Sequence, residues 1–349
     1  MEIGKVSGNV LKRSVLGQIK FKREEVVSGA GMGADCAIFS YDGSGYMAAC
    51  MQEAQVCWPL PQSASIEAAV QEGVRDTGVE PYMTLAQLIQ KCANNLSAAG
   101  SSPAALMLTL FLPERAEESH LKALLKEAEQ MCAELSMELM GGQTRMIEKI
   151  TCPIAVASIY GKMGQGTEQM LKSAAPGQDI VISKWIGLQG TALAVKRNRA
   201  KLLARYPSYL VEEAELFDRY LSVIPEAAIA VKSGVCAMHD ASEGGIFAAL
   251  WEMAERAGVG LNIDLKKLPL RQETVEVCEC CDLNPYELLA GGCMIMTSAD
   301  GQALADALLA ENIPAVVVGR VTEGKRRILR NGEEIRYLDR PKQDQIYKL

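Results

Sequence analysis

Apolar positions in the N-terminal half of the chain switch between two periods. In "DCAIFSYDGSGYMAACMQ" (35–52) they alternate with polar residues, which predicts two strands joined at the hairpin dipeptide Asp42-Gly43. In "MTLAQLIQKCANNLSAAGSSP" (83–103), Leu85, Leu88, Ile89, Cys92, Leu96 and Ala99 recur at i, i+3, i+4 spacing, the mark of an amphipathic helix closing on Gly100 and Pro103. "AALMLTLFLP" (104–113) is almost wholly aliphatic and predicts a buried strand. "ERAEESHLKALLKEAEQMCAELSMELMGG" (114–142) reads as one long helix, acidic in its first turns and glycine-terminated, with Met131, Met137 and Met140 filling gaps in a core. "ITCPIAVASIY" (150–160) is the next strand.

The Gly- and Ser-rich "GKMGQGTEQMLKSAAPGQ" (161–178) interrupts this pattern, and strand–helix alternation restarts with "DIVISKWIGLQG". Domains of 1–155 and 165–349 follow. The second is expected to hold helices at Val211–Val223 and Pro225–Ser233, then strand "GVCAMHD" with the helix after it. Strand "GLNIDL", helices through Cys280 and Leu289, strands "CMIMTS" and "AVVVGRV", and a hairpin at Asn331-Gly332 complete it. Both halves mix strands and helices in one rhythm, which predicts an α+β fold built from two related units.

With 49% hydrophobic residues in 349, each unit can fill a core. No run of about 18 uncharged apolar residues occurs, and the charged N-terminus lacks the apolar centre of a secretion signal, so no membrane contact and a cytoplasmic location are expected. A net charge of −7 argues against a nucleic-acid surface and leaves small molecules or proteins as partners. The basic run Lys196–Arg205 alternates with Leu and Ala at helical spacing and reads as a solvated helix face. Eleven cysteines, spread through apolar segments, are expected to be reduced, buried thiols.

The densest chemistry lies in "MHDASEGGIFAAL" (238–250). Strand "VCAM" delivers His239 and Asp240 to its carboxyl end, Ser242 suits an N-cap, and Gly244-Gly245 let a ligand approach the backbone at a helix start, where amides favour anions. No S-x-x-E capping box forms, which leaves those amides available. His239 beside Asp240 looks like a base with its orienting acid, but no nucleophile adjoins them; Asp240 is the better candidate for catalysis.

"HDASEGGIFAAL" resembles the H-D-x-T-x-G-G loop of the AIR synthase superfamily. In order, "GADCAIF" (33–39) resembles its G-D-D-A-A-V, "NNLSAAGSSP" (94–103) its N-D-L-x-x-x-G-A-x-P, and "GGQT" (141–144) its G-G-D-T; "NPYELLAGGCMIM" resembles a later glycine-ended segment. The likeness is nearest to the hydrogenase-maturation branch containing HypE. It implies an N-terminal domain that pairs with a second copy into a shared β-barrel, hence a homodimer, and a C-terminal α+β domain folded against it. It also implies ATP in the interdomain cleft, with Mg²⁺ held by motif aspartates. Residue by residue, Asp35, Gln52, Glu53, Asn95, Gly141, Gly142, Gln143 and Thr144 would surround the nucleotide phosphates, with Asp35 the metal ligand. Asp240, Ser242, Gly244 and Gly245 would face the acceptor.

Where the family pattern has acids, this chain has Ala34, Asn95 and Gln143. Magnesium takes carboxylates with phosphate oxygens, and a unit charge about 4 Å away is worth roughly 4 kcal/mol at an effective dielectric of about 20. The substitutions therefore weaken Mg²⁺ binding and open the alternative of a non-catalytic, ligand-binding homodimer. An amide at position 95, beside the apolar stripe of its helix, should point inward. The chain also ends "DRPKQDQIYKL", without the terminal cysteine that carries the hydrogenase-maturation chemistry. The cluster Cys278, Cys280, Cys281 places Cys278 and Cys281 on one helical face; with His120 and His239 the only histidines, a zinc site would need distant help, and buried thiols are the simpler reading.

Overall fold

The structure, a computed structural model, describes residues 7–41, 45–58, 83–164 and 173–349. The dipeptide Asp42-Gly43 and residues 165–172 of the glycine-rich junction lie outside them.

Six strands form the first sheet: β1 (Val26–Ser28), β2 (Ala37–Tyr41), β3 (Gly45–Gln55), β4 (Ser101–Pro113), β5 (Glu138–Ile147) and β6 (Ile154–Met163), in the order β1-β2-β3-β6-β4-β5. The sheet is open, with β1 and β5 at its edges. No closed barrel forms among the described residues. Helix α1 (Leu85–Ala98) packs on one face, started by a Thr84–Gln87 capping box and burying Leu85, Leu88, Ile89, Cys92 and Leu96 completely. β4 is one-sided rather than buried throughout: Leu106, Leu108, Leu110 and Leu112 face the helix, while Met107 faces outward.

The long helix expected over 114–142 stops early. Helix α2 (Glu118–Glu134) ends where Ser136 turns into the left-handed region (φ 54) and the Met137 N–H returns to the Cys132 carbonyl (2.8 Å). The next residues form β5, parallel to β4, so β4-α2-β5 is a crossover unit. Met137 stays buried, but Met140 lies on β5 with half its surface in solvent and fills no core gap.

The second sheet contains β7 (Asp179–Ser183), β8 (Ala237–Ala241), β9 (Gly260–Asp264), β10 (Cys293–Ser298), β11 (Ala315–Thr322), β12 (Arg327–Asn331) and β13 (Glu334–Tyr337), in the order β13-β12-β9-β11-β7-β10-β8. The β12–β13 hairpin turns at Asn331-Gly332 as expected. Its helices are α3 (Leu188–Leu203), α4 (Ser208–Glu215), α5 (Ile224–Lys232), α6 (Gly245–Ala257), α7 (Gln272–Cys281) and α8 (Gly301–Ala310). Two expected helices are shorter than drawn. The one at 211–223 passes into a 3-10 turn at Leu216–Tyr220, and Asp282 (φ 55) ends α7, leaving Leu289 in irregular backbone. The basic run lies on the solvated side of α3, with Lys196 paired to Asp218 and Arg205 to Glu279.

The two units share one hydrophobic core. Cys92 and Leu96 of α1 belong to the same buried cluster as Val223, Ala227, Met238 and Met294 of the second unit. Packing of α1 against α5 and β8 brings the first strands' loops to the carboxyl end of β8.

A candidate site at the domain junction

The junction is held by named polar contacts before any ligand is considered. Asn94 of α1 donates from Nδ2 to the Leu221 carbonyl (2.7 Å), while its Oδ1 accepts from Val223 N (3.1 Å) and Gln90 Nε2 (2.8 Å). Lys184, left-handed at the end of β7 (φ 52), grips the same 220–223 segment: its Nζ donates to the carbonyls of Tyr220 (2.9 Å) and Ser222 (2.5 Å) and pairs with Glu226 at 2.6 Å.

Beside this clamp, His239 crosses between the units. Its Nδ1 lies 2.8 Å from Asp35 Oδ2 and its Nε2 3.3 Å from Glu252 Oε2. Burial favours the neutral ring, but the carboxylates of Asp35 and Glu252 together outweigh it and lift the His239 pKa to about 10. The ring is therefore an imidazolium donating from both nitrogens. Gly33 makes this approach possible: at φ +66, a Cβ there would lie 2.6 Å from the Glu252 carbonyl of α6.

Successive residues on a strand face opposite ways, so His239 and Asp240 are not a base and its orienting acid; the partners of the histidine are Asp35 and Glu252. Asp240 is buried, and neither of its carboxylate oxygens has a hydrogen-bond partner. Burial first, then the negative charge of Asp35, raise its pKa to about 8, against the opposing pull of His239, Lys91 and Lys184. At neutral pH Asp240 is a protonated acid with one O–H to donate.

Asp35, His239 and Cys36 also line a small cavity of about 30 Å³, room for one water-sized molecule. Around Cys36 lies a buried thiol group. The Cys36 Sγ donates to the Asn95 carbonyl (3.1 Å), and the Cys92 Sγ to the carbonyls of Cys50 and Ala157 (3.5 Å each). The neighbouring thiols Cys36 and Cys92, with the Asn95 and Gln52 amides, lower the Cys50 pKa against its burial. The inward amide expected at Asn95 is thus buried against sulfur.

The remaining candidate residues divide. Glu53 lies exposed on β3, and Gly141, Gly142, Gln143 and Thr144 are exposed along the edge strand β5, away from the Asp35–Asp240 group. The 242–245 loop departs from expectation. Ser242 is not the cap: Gly244 is, in the left-handed region, while the Ser242 carbonyl accepts from Gly245 and Ala290. Nor are the amides free, because Gly244 N donates to Asp344 Oδ2 at 2.5 Å. The other oxygen of Asp344 accepts from Leu289 (3.2 Å) and Ile346 (2.8 Å). Burial raises the Asp344 pKa to about 6 against those amide bonds. Gly245 must be glycine, since at φ +69 a Cβ would sit 2.5 Å from the Tyr286 carbonyl.

Cys278 and Cys280 are buried and Cys281 half-buried, so the cluster does not sort by the expected face; burial lifts the Cys278 thiol to about 12. Among the described residues no group of three or more His, Cys, Asp or Glu side chains is arranged to hold a metal ion, and no helix is long and apolar enough to cross a membrane. Sequence reasoning missed Asn94, Lys184, Glu226, Glu252 and Asp344. Of these only Asn94 carried a local signal, its i+4 spacing from Gln90 on a polar strip of α1.

Both units match known proteins. The family described as "AIR synthase related protein, N-terminal domain" matches residues 62–163, and "AIR synthase related protein, C-terminal domain" matches 175–330. A carbamoyl dehydratase HypE from Rhodobacter capsulatus is 28% identical over 234 residues, 65% of this chain and 66% of that protein, so the chain spans just under two thirds of that relative. A HypE–HypF complex superposes with a TM-score of 0.71 at 18% identity, covering 95% of this chain and 99% of that one. A hydrogenase maturation protein HypE in complex with ATP superposes at 0.62 and 15% identity, covering 99% and 97%.

Proposed function

Because the chain belongs to the AIR synthase related family, we propose that it binds a nucleotide or other phosphate-bearing ligand at the junction between its two units and uses ATP to activate an oxygen of a small acceptor. One observation carries this reading: Asp240, a buried carboxyl with both oxygens unpartnered, beside Asp35 at the carboxyl end of β8. An unpaired buried acid is costly unless something polar meets it, and a neutral carboxyl offers an oxygen ligand one donor and open acceptor positions. That a HypE neighbour of this fold is in complex with ATP supports a nucleotide as the ligand. In this reading the first unit runs through β6 rather than ending at 155, and the phosphates draw on Asp35, Gln52 and Asn95 from it and the acceptor on Asp240 from the second.

Magnesium fits these residues poorly. The Asp35 carboxylate is committed to His239, and Ala34, Asn95 and Gln143 supply no charge. The same facts favour a second reading, a homodimer that binds its ligand without metal and without turnover. Here the outward sheet face bearing Met51 and Met107, which share it through Ser158 of β6, is closed by a second copy.

Calorimetric titration with ATP, with and without magnesium and alongside a phosphate-release assay, separates the two. ATP binding with phosphate release, the release but not the binding being lost in D240N, supports the first. Binding insensitive to chelator and without phosphate release supports the second, in which N95D with Q143D should create magnesium dependence. Absence of nucleotide binding under every condition would overturn both.

A further inference from the structure

The most concentrated reactive chemistry outside the Asp240 site is the buried thiol group of the first sheet. Cys36 immediately precedes β2 and Cys50 lies within β3. Ala37 pairs with Ala49 in the antiparallel ladder, so one step further along the same register places Cys36 directly across from Cys50. Directly opposed residues of an antiparallel pair have Cα atoms about 4.5 or about 5.5 Å apart, and a disulfide accepts roughly 4.4–6.8 Å. The backbone therefore already stands at bridging distance. Both side chains turn to the helix-covered face with Ile38 and Ala48, away from outward-facing Met51.

Two further observations set this pair apart from the chain's other cysteines. Cys36 forms part of the wall of the 30 Å³ cavity shared with Asp35 and His239, so a water-sized molecule has a place against Cys36, one ladder step from the Ala37–Ala49 pair. The third thiol, Cys92, is engaged with two backbone carbonyls and sits on α1 rather than opposite either partner on the ladder. Elsewhere, Cys278 is deep in a helical core and Cys293 lies fully enclosed in β10, with no cysteine across from it on β7 or β8.

We propose that Cys36 and Cys50 are a reversible thiol–disulfide site closed by hydrogen peroxide, independent of the nucleotide reading. Cys50, the sulfur met by the Asn95 and Gln52 amides and by its neighbour Cys36, is the attacking sulfur, acting as its thiolate. It attacks one peroxide oxygen; the O–O bond breaks, the departing hydroxide takes a proton to become water, and Cys50 becomes a sulfenic acid. The Cys36 sulfur then attacks the Cys50 sulfur. An S–S bond forms, the S–O bond breaks, and the hydroxide leaves with the Cys36 proton as a second water. Two thiols give up two electrons and two protons, and the peroxide is reduced to two waters; a dithiol reductant reverses the reaction.

The test is peptide mapping of the full chain after brief exposure to stoichiometric hydrogen peroxide, with remaining thiols blocked and digestion under non-reducing conditions. The expected result is a Cys36–Cys50 linked peptide, loss of two of the eleven thiols and their recovery with dithiothreitol. C36S and C50S should each abolish the link, and C132S should leave it intact. A different pairing, or eleven unmodified thiols in the native protein under conditions that oxidise the urea-unfolded chain, overturns the proposal. Mapping of the unsubstituted protein decides this even if a serine variant fails to fold.

Discussion

Asp35 and His239, separated by 204 residues in the chain, meet 2.8 Å apart at the junction of the two units. The contact ties the loop before β2 to the central strand residue of β8, and Glu252 holds the other ring nitrogen.

The pair makes stability depend on alkaline pH. The folded-state pKa of His239, about 10, lies above its ordinary 6.5. The stabilisation is therefore fully present below about pH 6.5 and is lost as pH rises through 10. Thermal melts from pH 6 to 10.5 should show a falling midpoint, and D35N should flatten that fall while costing about 3–5 kcal/mol at pH 7. An equally steep fall in D35N would remove the pair as its cause.

Asp240 has the opposite charge type and a raised pKa, so its sign differs from the usual acid. Between about pH 4, where the unfolded carboxyl ionises, and about pH 8, where the folded one does, the folded state holds the extra proton and stability falls as pH rises. D240N, which cannot ionise, should be the more stable protein at pH 8 and should differ little at pH 4. Urea denaturation at the two pH values checks this; a variant less stable at both would show that the acid is paired.

Asn94 is a single side chain serving both units. N94A leaves the Leu221 carbonyl and Val223 amide without their partner in a buried place, a loss of about 2–4 kcal/mol in denaturant titrations. N95A, whose amide lies against sulfur, should cost less. Equal losses would contradict the assignment of the stitch to Asn94.

The outward methionines give the homodimer a test. M51E with M107E should shift a dimer to monomer in light scattering coupled to size exclusion, with the circular dichroism of the fold unchanged. An unchanged mass would place any association elsewhere.

Much of the architecture was legible because it follows from period. The Leu85–Ala98 helix, the alternating β2 and β3 and the Asn331-Gly332 hairpin are all written in local spacing. The helix boundary before β5 was not, since Met137 and Met140 continue a helical spacing that only the left-handed Ser136 breaks, and serine is no usual signal for that conformation. Asp240 was readable from its motif, but its lack of partners was not. Its neighbours come from Asp35, Lys91 and Lys184, far away in sequence. Asn94 was passed over for Asn95 because its partners are backbone atoms of Leu221 and Val223, which leave no residue-type signature.

The carboxylate of Asp344 on the Gly244 amide gives the 242–245 loop an occupant of its own. A tethered anion competes at an effective concentration fixed by its chain, so a dissolved phosphate arriving there must first displace an intramolecular rival. Its measured affinity would be the intrinsic one scaled by the fraction of molecules with the tail undocked. Docking holds the Asp344 proton more tightly than solvent does, so acidification below about pH 6 strengthens the rival, and the loop is most open to outside anions at neutral pH and above.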